Sequence, residues 1–310
     1  MLYARLYLIF DSLNLTGNNH QLSVKVSAEM FKKRLTVAVP ASVISDTPHL
    51  REKTSKIGFI GRAAAIFKTD EIIVYADDSK TNQRREIDLT ATLLSYMETP
   101  QYLRKRLFQL KPELQFAGIL PPLRTPHHPL PKKLKVGDYR EAVVLSKAKE
   151  GTLVDIGLEQ PALLRGAEFA TNQRITVQVV TASQKVEVQA VSRDDVSEYW
   201  GYAVTVESRA LKPLLSEPRF DLVIGTSKFA PLFQEVTKRL GEKWAKARSV
   251  LLLFGSPSRG LFDIAKDEGI NLNEAVDFMV NTFPNQGTET VRTEEAVLAS
   301  LAILNVQFGF

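Results

Sequence analysis

The stretch LLLFGSPSRGL, residues 251–261, joins an apolar run to a loop of glycine, proline and serine. Such a run, bounded by turn residues and followed by the helical pattern GLFDIAKDEG, is typical of a buried strand that opens into a helix. The same order occurs in FDLVIGTS, residues 220–227, before the amphipathic segment APLFQEVTKRLGEKWAKA. A third strand is predicted in EAVDFMVNTF, residues 274–283, before a final helix in RTEEAVLASLAILNVQF. This repetition of strand, polar loop and helix predicts an α/β fold with a parallel sheet.

The first third of the chain shows the same pattern. LTVAV, residues 35–39, is a β-branched run, and EIIVYAD, residues 71–77, is a second strand of the buried type. The segment DTPHLREKTSKIGFIGRAAAIF between them predicts a helix with Thr47 as its N-cap and Pro48 at its first position. The other elements predicted here are helices in LTATLLSYME (89–98) and PQYLRKRLFQL (100–110) and a strand in the N-terminal MLYARLYLIFDSLN.

A proline-rich segment separates two kinds of sequence. Five of the eleven residues 121–131 are proline, which excludes a helix or a central strand and predicts an exposed linker. Residues 136–192 show short alternating strands split by turns, the pattern of a small barrel similar to an OB fold. We therefore predict a discontinuous α/β domain, residues 1–125 and 205–310, interrupted by a β-barrel domain, residues 132–200.

Metal and thiol chemistry is not expected. The chain has no cysteine, which excludes disulfides, thiolate metal sites and cysteine nucleophiles, and this composition fits a reducing cytoplasm. His127 and His128 are interpreted as part of the exposed linker, because adjacent side chains on an extended backbone point to opposite sides. No apolar run reaches membrane-spanning length. We expect a cytoplasmic protein with no membrane or metal partner.

The charge distribution favours a polyanionic partner. The formal net charge is +5, and the positive excess falls within residues 1–131, in the clusters KKR (32–34), RR (84–85) and RKR (104–106). Solvated surface charge is the alternative interpretation of each cluster. The predicted RNA-binding residues are Arg84, Arg85, Arg104, Lys105, Arg106 and, in the glycine loop, Arg259.

Three predicted strands of the C-terminal half end on polar loops that contain glycine: GTS at 225–227, GSPSRG at 255–260 and NTFPNQGTET at 281–290. Open α/β sheets bind ligands at the carboxyl ends of their strands, and glycine allows a close approach of backbone to ligand. GSPSRG is not the G-x-G-x-x-G dinucleotide motif, and the chain has no GK[ST] phosphate loop. A ligand pocket of another kind and a purely structural set of loops both remain open.

The longest of these motifs resembles a known family. LLLFGSPSRGL followed by VNTFPNQGTETVRTEEAVLASLAILN resembles the paired signature of the SPOUT superfamily of trefoil-knotted RNA methyltransferases. More closely, it is similar to the archaeal and eukaryotic group of RNA uridine-N3 methyltransferases. The block KIGFIGRAAAIFKTDEIIVYAD is similar to the early helix and strand of that group, and the inserted barrel has the same placement. Phe283 and Asn285 depart from the group, in which a more aliphatic and a smaller residue are expected.

The resemblance implies a SPOUT-type knotted α/β domain, with a deep C-terminal trefoil knot and an inserted OB-like β-barrel. It also implies S-adenosyl-L-methionine as cofactor and a homodimer formed through the knotted domain, with the active site near the interface. Carried over by position, the cofactor-binding residues are Gly225, Thr226, Gly255, Gly260, Leu261, Asn281, Phe283, Pro284, Gly287 and Thr288.

Methyl transfer to uracil N3 requires that a weakly acidic proton leaves and that the developing negative charge is stabilised. Arg62 aligns with an early-helix arginine that many knotted methyltransferases place near the target nucleotide, and it or Arg292 is expected to stabilise that charge. For Arg62 the alternative is an ordinary surface arginine. Glu289, Glu294 or Glu295 is expected to act as base. Glu294 and Glu295 are equally explained as acidic residues at the positive end of the last helix.

The predicted function is therefore that of an S-adenosylmethionine-dependent RNA methyltransferase, acting on uridine N3 of ribosomal RNA. One alternative is the same fold methylating another RNA atom, such as a pseudouridine or guanine nitrogen or a ribose 2′-hydroxyl. The other is a non-catalytic RNA-binding factor in ribosome assembly.

Overall fold

The computed structural model describes residues 33–129 and 134–310, and the predicted N-terminal strand and Lys32 lie outside these ranges. The described residues form a six-stranded sheet with helices on both faces, and a five-stranded closed barrel. The strands of the sheet are β1 (Arg34–Pro40), β2 (Glu71–Tyr75), β8 (Ala203–Glu207), β9 (Leu222–Thr226), β10 (Ser249–Leu253) and β11 (Phe278–Val280). The strands of the barrel are β3 (Tyr139–Ala148), β4 (Gly151–Asp155), β5 (Ala162–Leu164), β6 (Arg174–Ala182) and β7 (Val186–Ala190).

The helices alternate with the strands of the sheet, as the strand-loop-helix pattern predicts. The α-helices of the described part are α1 (Leu50–Ile66), α2 (Arg84–Glu98), α3 (Gln101–Leu107), α4 (Leu211–Leu215), α5 (Phe233–Lys246), α6 (Leu261–Asp267), α7 (Leu272–Ala275) and α8 (Thr293–Phe308). Short 3-10 helices cover Ala41–Ile44, Pro112–Leu114, Ala117–Ile119 and Arg193–Asp195.

Every neighbouring pair in the sheet is parallel, in the order β11-β9-β10-β1-β2-β8. In the centre, Val37 of β1 is paired with Leu252 of β10 and with Ile72 of β2. Because all strands run the same way, their carboxyl ends share one edge of the sheet. The loops after β9, β10 and β11 therefore leave from neighbouring positions on that edge.

Side-chain alternation along the strands divides the sheet between two apolar cores. Val37 and Val39 contact the first core, which α1, α2, α5 and α8 complete, whereas Ala38 contacts the second, which α4, α6 and α7 complete. Strands buried on both faces carry continuous apolar runs, which explains LTVAV and SVLLL in the sequence.

The barrel has its own apolar interior, and α3 packs against its outside. Ala142 and Val144, two residues apart on β3, belong to this interior. Tyr102 of α3 donates from its hydroxyl to the carbonyl oxygen of Glu141 at 2.9 Å. Its ring lies against Gly157, where φ is +84° and an added Cβ would stand 2.6 Å from the ring. A glycine at this position is thus required for the approach of α3 to the barrel.

Four local predictions are wrong at their boundaries. Helix α1 begins at Leu50 with His49 as N-cap, instead of after Thr47, because the 3-10 helix Ala41–Ile44 and its turn occupy the preceding residues. The predicted strand 274–283 contains the end of α7 and only the three-residue strand β11. The helix predicted over 100–110 ends at Leu107, and the helix predicted over 89–98 begins at Arg84.

The prediction of an exposed linker is wrong for His127. Its side chain is fully buried, and Nε2 lies 2.9 Å from the carbonyl oxygen of Glu98 at the end of α2. His128 is partly buried and its Nε2 lies 2.6 Å from the same oxygen. The described part of the proline-rich segment, residues 121–129, contains no helix or strand, as predicted, and its two imidazoles contact the carbonyl oxygen at the end of α2. Among the described residues, the longest helices lack the length and apolarity needed to cross a bilayer.

Candidate functional site

A pocket of about 290 Å³ opens at the carboxyl edge of the sheet, where the loops after β9, β10 and β11 meet the start of α8. This is the position at which open parallel sheets bind ligands. Its lining combines Phe254, Val291 and Ala296 with hydroxyl, amide and carboxylate groups. The full lining is Thr226, Ser227, Lys228, Phe229, Phe254, Gly255, Ser256, Pro257, Ser258, Gly260, Asp263, Asn281, Thr282, Phe283, Gln286, Thr290, Val291, Thr293 and Ala296.

The loop after β10 is folded tightly on itself. The backbone N–H of Ser256 donates to the carbonyl of Arg259 at 2.8 Å, and the Ser256 hydroxyl accepts from the Arg259 N–H at 3.1 Å. A Cβ on Gly255 would lie 2.9 Å from the backbone nitrogen of Leu261 and 3.0 Å from the carbonyl oxygen of Arg259. Backbone atoms cannot move aside as a flexible side chain can. Gly255 is therefore required for the loop to close beside the pocket.

Hydroxyl groups connect the three loops below the pocket. Thr293, 3% exposed at the first position of α8, donates to the carbonyl of Gly255 at 3.0 Å. Thr226 donates to the carbonyl of Leu253 at 2.8 Å. The buried hydroxyls of Thr282 and Ser300 lie 2.9 Å apart. These bonds hold the loops in fixed positions relative to one another, which a preformed ligand site requires.

Two neighbouring residues of the β9 loop stand at the rim of the pocket. The Lys228 ammonium donates to the carbonyl oxygen of Glu289 at 3.1 Å, so it joins the β9 loop to the β11 loop. The same ammonium lies 5.2 Å from the ring centroid of Phe229, which is 75% exposed. The Asn281 amide donates to the carbonyl of Lys228 at 3.0 Å and fixes the backbone of this rim.

Half of the residues predicted to bind the cofactor line this pocket: Thr226, Gly255, Gly260, Asn281 and Phe283. Four of the other five directly adjoin a lining residue in the sequence: Gly225, Leu261, Pro284 and Gly287. Thr288 lies two residues from the lining residues Gln286 and Thr290. Gly225 lies within β9, where a Cβ would stand 2.4 Å from the Met279 sulfur, and Leu261 is fully buried in the second core.

Of the predicted catalytic residues, Glu289 and Arg292 lie in the β11 loop beside the pocket, and both are exposed. The structure does not bring Arg62 to this pocket within one chain. Its guanidinium donates to the carbonyls of Pro122 and Leu123 at 2.9 and 2.6 Å. That contact makes Arg62 a clamp between α1 and the linker in the described structure.

Most of the predicted RNA-binding residues have a partner within the protein. Arg104 donates to the carbonyls of Met97 and Thr99 at 3.2 and 2.9 Å, and its guanidinium packs on Tyr96. Burial lowers the pKa of Arg104. The remaining predicted residues divide into those with an ion pair (Arg106 with Asp155, Arg259 with Asp267 and Arg84 with Asp88) and the exposed Arg85 and Lys105.

A buried ionic cluster joins the sheet to the barrel. Arg174 of β6 donates to Glu98 of α2 at 2.6 and 3.1 Å and to Glu141 of β3 at 2.5 Å. His127 Nε2 lies 3.2 Å from the Glu98 carboxylate. Burial would raise the pKa of Glu98, but the Arg174 charge and the bonds from His127 and Arg174 outweigh it and lower that pKa to about 2. Glu98 is therefore ionised at neutral pH although it is buried.

The same packing affects the second imidazole. Burial, with the neighbouring His127 ring, lowers the pKa of His128 to about 4. His128 is thus neutral at physiological pH. Within residues 33–129 and 134–310, no group of three or more His, Asp or Glu side chains is arranged to hold a metal ion.

Sequence reasoning missed several residues of the pocket. Lys228 and Phe229 follow the β9 loop motif directly, but neither belongs to a glycine motif. The apolar wall residues Phe254 and Ala296 were interpreted as part of a strand and of a helix face. Their position could have identified them, because all four lie within a few residues of the carboxyl end of a strand or the start of a helix.

Comparison with known proteins gives a consistent result. A family model described as "Putative RNA methyltransferase" matches residues 34–304. The 28S rRNA (uridine-N(3))-methyltransferase of Mus musculus is 33% identical over 302 residues, which covers 87% of this chain and 75% of the mouse protein. The human protein of the same name is 32% identical over 302 residues, with 87% and 77% covered. An uncharacterized protein of Halobacterium salinarum is 33% identical over 288 residues, with 87% and 98% covered.

Proposed function

The chain belongs to the RNA methyltransferase family whose model spans residues 34–304, and we propose that it transfers a methyl group to N3 of a uridine in ribosomal RNA. The observation that carries this proposal is the pocket at the carboxyl ends of β9, β10 and β11. Its loops contain the long NTFPNQGTETVRTEEA motif on which the resemblance rests. The relatives named as 28S rRNA uridine-N3 methyltransferases support this choice of substrate.

We propose S-adenosyl-L-methionine as the methyl donor, and the pocket residues fit it. Phe254, Val291 and Ala296 offer apolar surface for an adenine ring. The Asp263 carboxylate, which accepts from the Gly260 N–H at 3.1 Å, and the amide of Gln286 offer polar contacts for ribose hydroxyls and amino-acid groups. A Cβ on Gly260 would meet only the Asp263 carboxylate at 3.6 Å, so the backbone there is open to a ligand. When bound, this donor supplies a methyl group attached to a sulfonium sulfur: the methyl carbon bonds to N3, the carbon–sulfur bond breaks, and the sulfur keeps that electron pair.

The residues of the chain then have to orient the uridine and stabilise the negative charge that its base acquires when the N3 proton leaves. A proton must leave N3, and Glu289 at the rim is the carboxylate that we propose to receive it, directly or through water. Arg292 lies between the lining residues Val291 and Thr293, and we propose that it stabilises negative charge at the base. A role for Arg62 in stabilising that charge requires assembly with a second copy, because its contacts within one chain are with the linker.

We propose that the protein is a homodimer. The outer face of α1 carries Phe59, Arg62 and Ile66 at helical spacing, and the two apolar members are 60% and 50% exposed. α8, which packs on α1, adds Leu298 and Val306, 46% and 88% exposed. Packing of these side chains against a second copy of the protein would place Arg62 at the subunit interface.

The remaining structural proposals concern topology and RNA binding. We propose that the C-terminal segment forms a trefoil knot, because the family resemblance implies one; a parallel bridge between Leu232 and Asn281 joins the two segments involved. We propose that the barrel, within residues 132–200, is an OB-like RNA-binding domain, and that residues 1–125 and 205–310 form the methyltransferase domain. A cytoplasmic location is proposed from the composition.

Two measurements test the proposed function. Isothermal titration calorimetry with S-adenosylmethionine is expected to give saturable heat, and no heat or thermal shift at millimolar cofactor contradicts the methyltransferase proposal. Mass spectrometry of unmodified large-subunit ribosomal RNA, incubated with protein and cofactor, is expected to show 3-methyluridine. Another methylated nucleoside would indicate the same fold with a different target atom. Cofactor binding without any RNA methylation would indicate a non-catalytic RNA-binding factor.

A further inference from the structure

The open side of the pocket carries a cation and an aromatic ring to which the family resemblance assigns no role. Phe229 is 75% exposed although it is a large apolar side chain that lines the pocket. Lys228 places its ammonium 5.2 Å from the centroid of that ring. Both residues belong to the short loop between β9 and α5, whose backbone is held by Asn281.

We propose that Phe229 stacks against the target nucleobase and that Lys228 compensates the negative charge which that base acquires when its N3 proton leaves. This inference rests on the proposed function, since it identifies the residues that receive the substrate of that reaction. It adds two substrate-contacting residues to the site, and neither is among the residues that we propose to hold the methyl donor.

The stacking part follows from exposure and position. Stacking of a flat base on a solvent-exposed aromatic ring beside a preformed pocket stabilises the complex. Proteins that bind unpaired nucleotides use such rings because every base has a π-face, and a reactive base must be unstacked from its RNA neighbours before chemistry. The Lys228 ammonium approaches the Phe229 ring from one direction, and the high exposure of the ring leaves surface for a base.

The charge part follows from the chemistry of uracil. Loss of the N3 proton leaves negative charge that is shared with the two adjacent carbonyl oxygens. An ammonium carries three donors, and in the described structure Lys228 uses one of them for the carbonyl of Glu289. The remaining donors can meet a base carbonyl oxygen, and a positive charge at that position lowers the pKa of the nearby N3–H. The proton itself leaves to a carboxylate or to water.

A purely structural role is the competing explanation for Lys228, because its bond to Glu289 joins two loops. The two roles differ in their pH dependence. If the ammonium favours the anionic base, its removal must shift the alkaline rise of kcat/KM to higher pH. A loop clamp would change kcat/KM at every pH and leave that profile in place.

The experiment uses full-length Phe229→Ala, Phe229→Tyr, Lys228→Met and Lys228→Arg, with Lys238→Met as a matched exposed lysine in the next helix. Cofactor affinity is measured by calorimetry, RNA affinity by anisotropy with labelled decauridylate, and methylation with unmodified large-subunit ribosomal RNA. Phe229→Ala should weaken decauridylate binding and raise KM by about 5- to 150-fold, the range of one lost base stack. Phe229→Tyr, which keeps an aromatic ring, should retain the decauridylate affinity and the KM of the unaltered protein. Lys228→Met should shift the pH profile, Lys228→Arg should retain it, and Lys238→Met should behave as the unaltered protein.

Three results would overturn the inference. The first is an unchanged KM and decauridylate affinity in Phe229→Ala, and the second is an unshifted pH profile in Lys228→Met. The third is dissociation of an oligomer by Phe229→Ala in light scattering, which would assign the ring to a subunit contact. Failure of the proposed function is distinguishable, because the unaltered protein would then neither bind S-adenosylmethionine nor methylate the RNA.

Discussion

Replacing Glu98 by glutamine tests how the barrel is held against the sheet. Glu98 ends α2 and accepts hydrogen bonds from Arg174 of the barrel at 2.6 and 3.1 Å, and its residue is only 4% exposed. Glutamine keeps the size of the side chain and one acceptor oxygen but removes the charge. Arg174 would retain Glu141 as its only carboxylate partner within the described cluster.

The magnitude follows from the ionisation of Glu98. A pKa that falls from 4.5 in an exposed chain to about 2 in the folded protein corresponds to about 3 kcal/mol in favour of the folded state. Loss of one partner from a buried ion pair costs a similar amount, about 3–5 kcal/mol. Because the folded pKa is depressed, this stabilisation is complete above pH 4.5 and is lost as pH falls through about 2.

Urea denaturation monitored by circular dichroism provides the assay. At pH 7 we expect Glu98→Gln to lower the free energy of unfolding by about 3 kcal/mol, and the difference from the unaltered protein should disappear towards pH 2. The control is Glu168→Gln, whose partner Lys147 is 71% exposed in its side chain, and a change under about 1 kcal/mol is expected there. Equal stability of Glu98→Gln and the unaltered protein at pH 7 would refute the reasoning, as would a difference that persists at pH 2.

Three further outcomes are expected. Gly255→Ala should weaken S-adenosylmethionine binding at least tenfold in calorimetry, because its Cβ would stand 2.9 Å from a backbone nitrogen, whereas Gly118→Ala, with no atom within 4 Å, should bind normally. Thr293→Val should cost about 1–3 kcal/mol of unfolding free energy in urea, since it leaves the Gly255 carbonyl without its donor. Stability should decrease between pH 6.5 and about 4 as unfolded chains protonate His128, by at most about 3 kcal/mol, and His128→Gln should remove this decrease; an unchanged pH dependence in that variant would contradict it.

The sheet could be predicted because its strands are buried on both faces. In LTVAV, Val37 and Val39 contact one core and Ala38 the other, so the run is apolar throughout and stands out from its neighbours. The position of the pocket could be predicted for a related reason. Parallel strands place their following loops at one edge, whatever the sequence distance between Gly255 and Asn281.

Side chains at the rim could not be predicted in the same way. Phe229 and Phe233 are the same residue type four positions apart, on either side of the predicted start of the amphipathic segment at Ala230. The first is 75% exposed and the second is 7% exposed, because α5 begins only at Phe233. Helix starts are set by local backbone bonds, such as that from the Leu232 N–H to the Glu235 carboxylate at 3.1 Å, and residue type alone does not locate them.

The linker histidines show a second limit. Composition correctly indicates irregular backbone in residues 121–129, but burial depends on what that backbone contacts. His127 reaches the carbonyl oxygen of Glu98, 29 residues earlier, and no local pattern relates the two. Buried polar groups need partners, so a residue that looks solvent-exposed in sequence can be required inside when a helix end leaves carbonyls to satisfy.

The arginines require the same distinction between charge and availability. A cluster such as RKR at 104–106 raises the local positive charge in sequence, but a guanidinium binds RNA phosphate only with donors that the protein has left free. The Arg104 guanidinium donates to the carbonyls of Met97 and Thr99 at the end of α2 and packs on the Tyr96 ring. Arg106 bonds Asp155 of the barrel. Lys105 between them is exposed, since successive residues of a helix point about 100° apart. We therefore expect the polyanion-binding surface to use fewer residues than the sequence clusters contain, with Lys105, which the helix turns outward, as its first candidate.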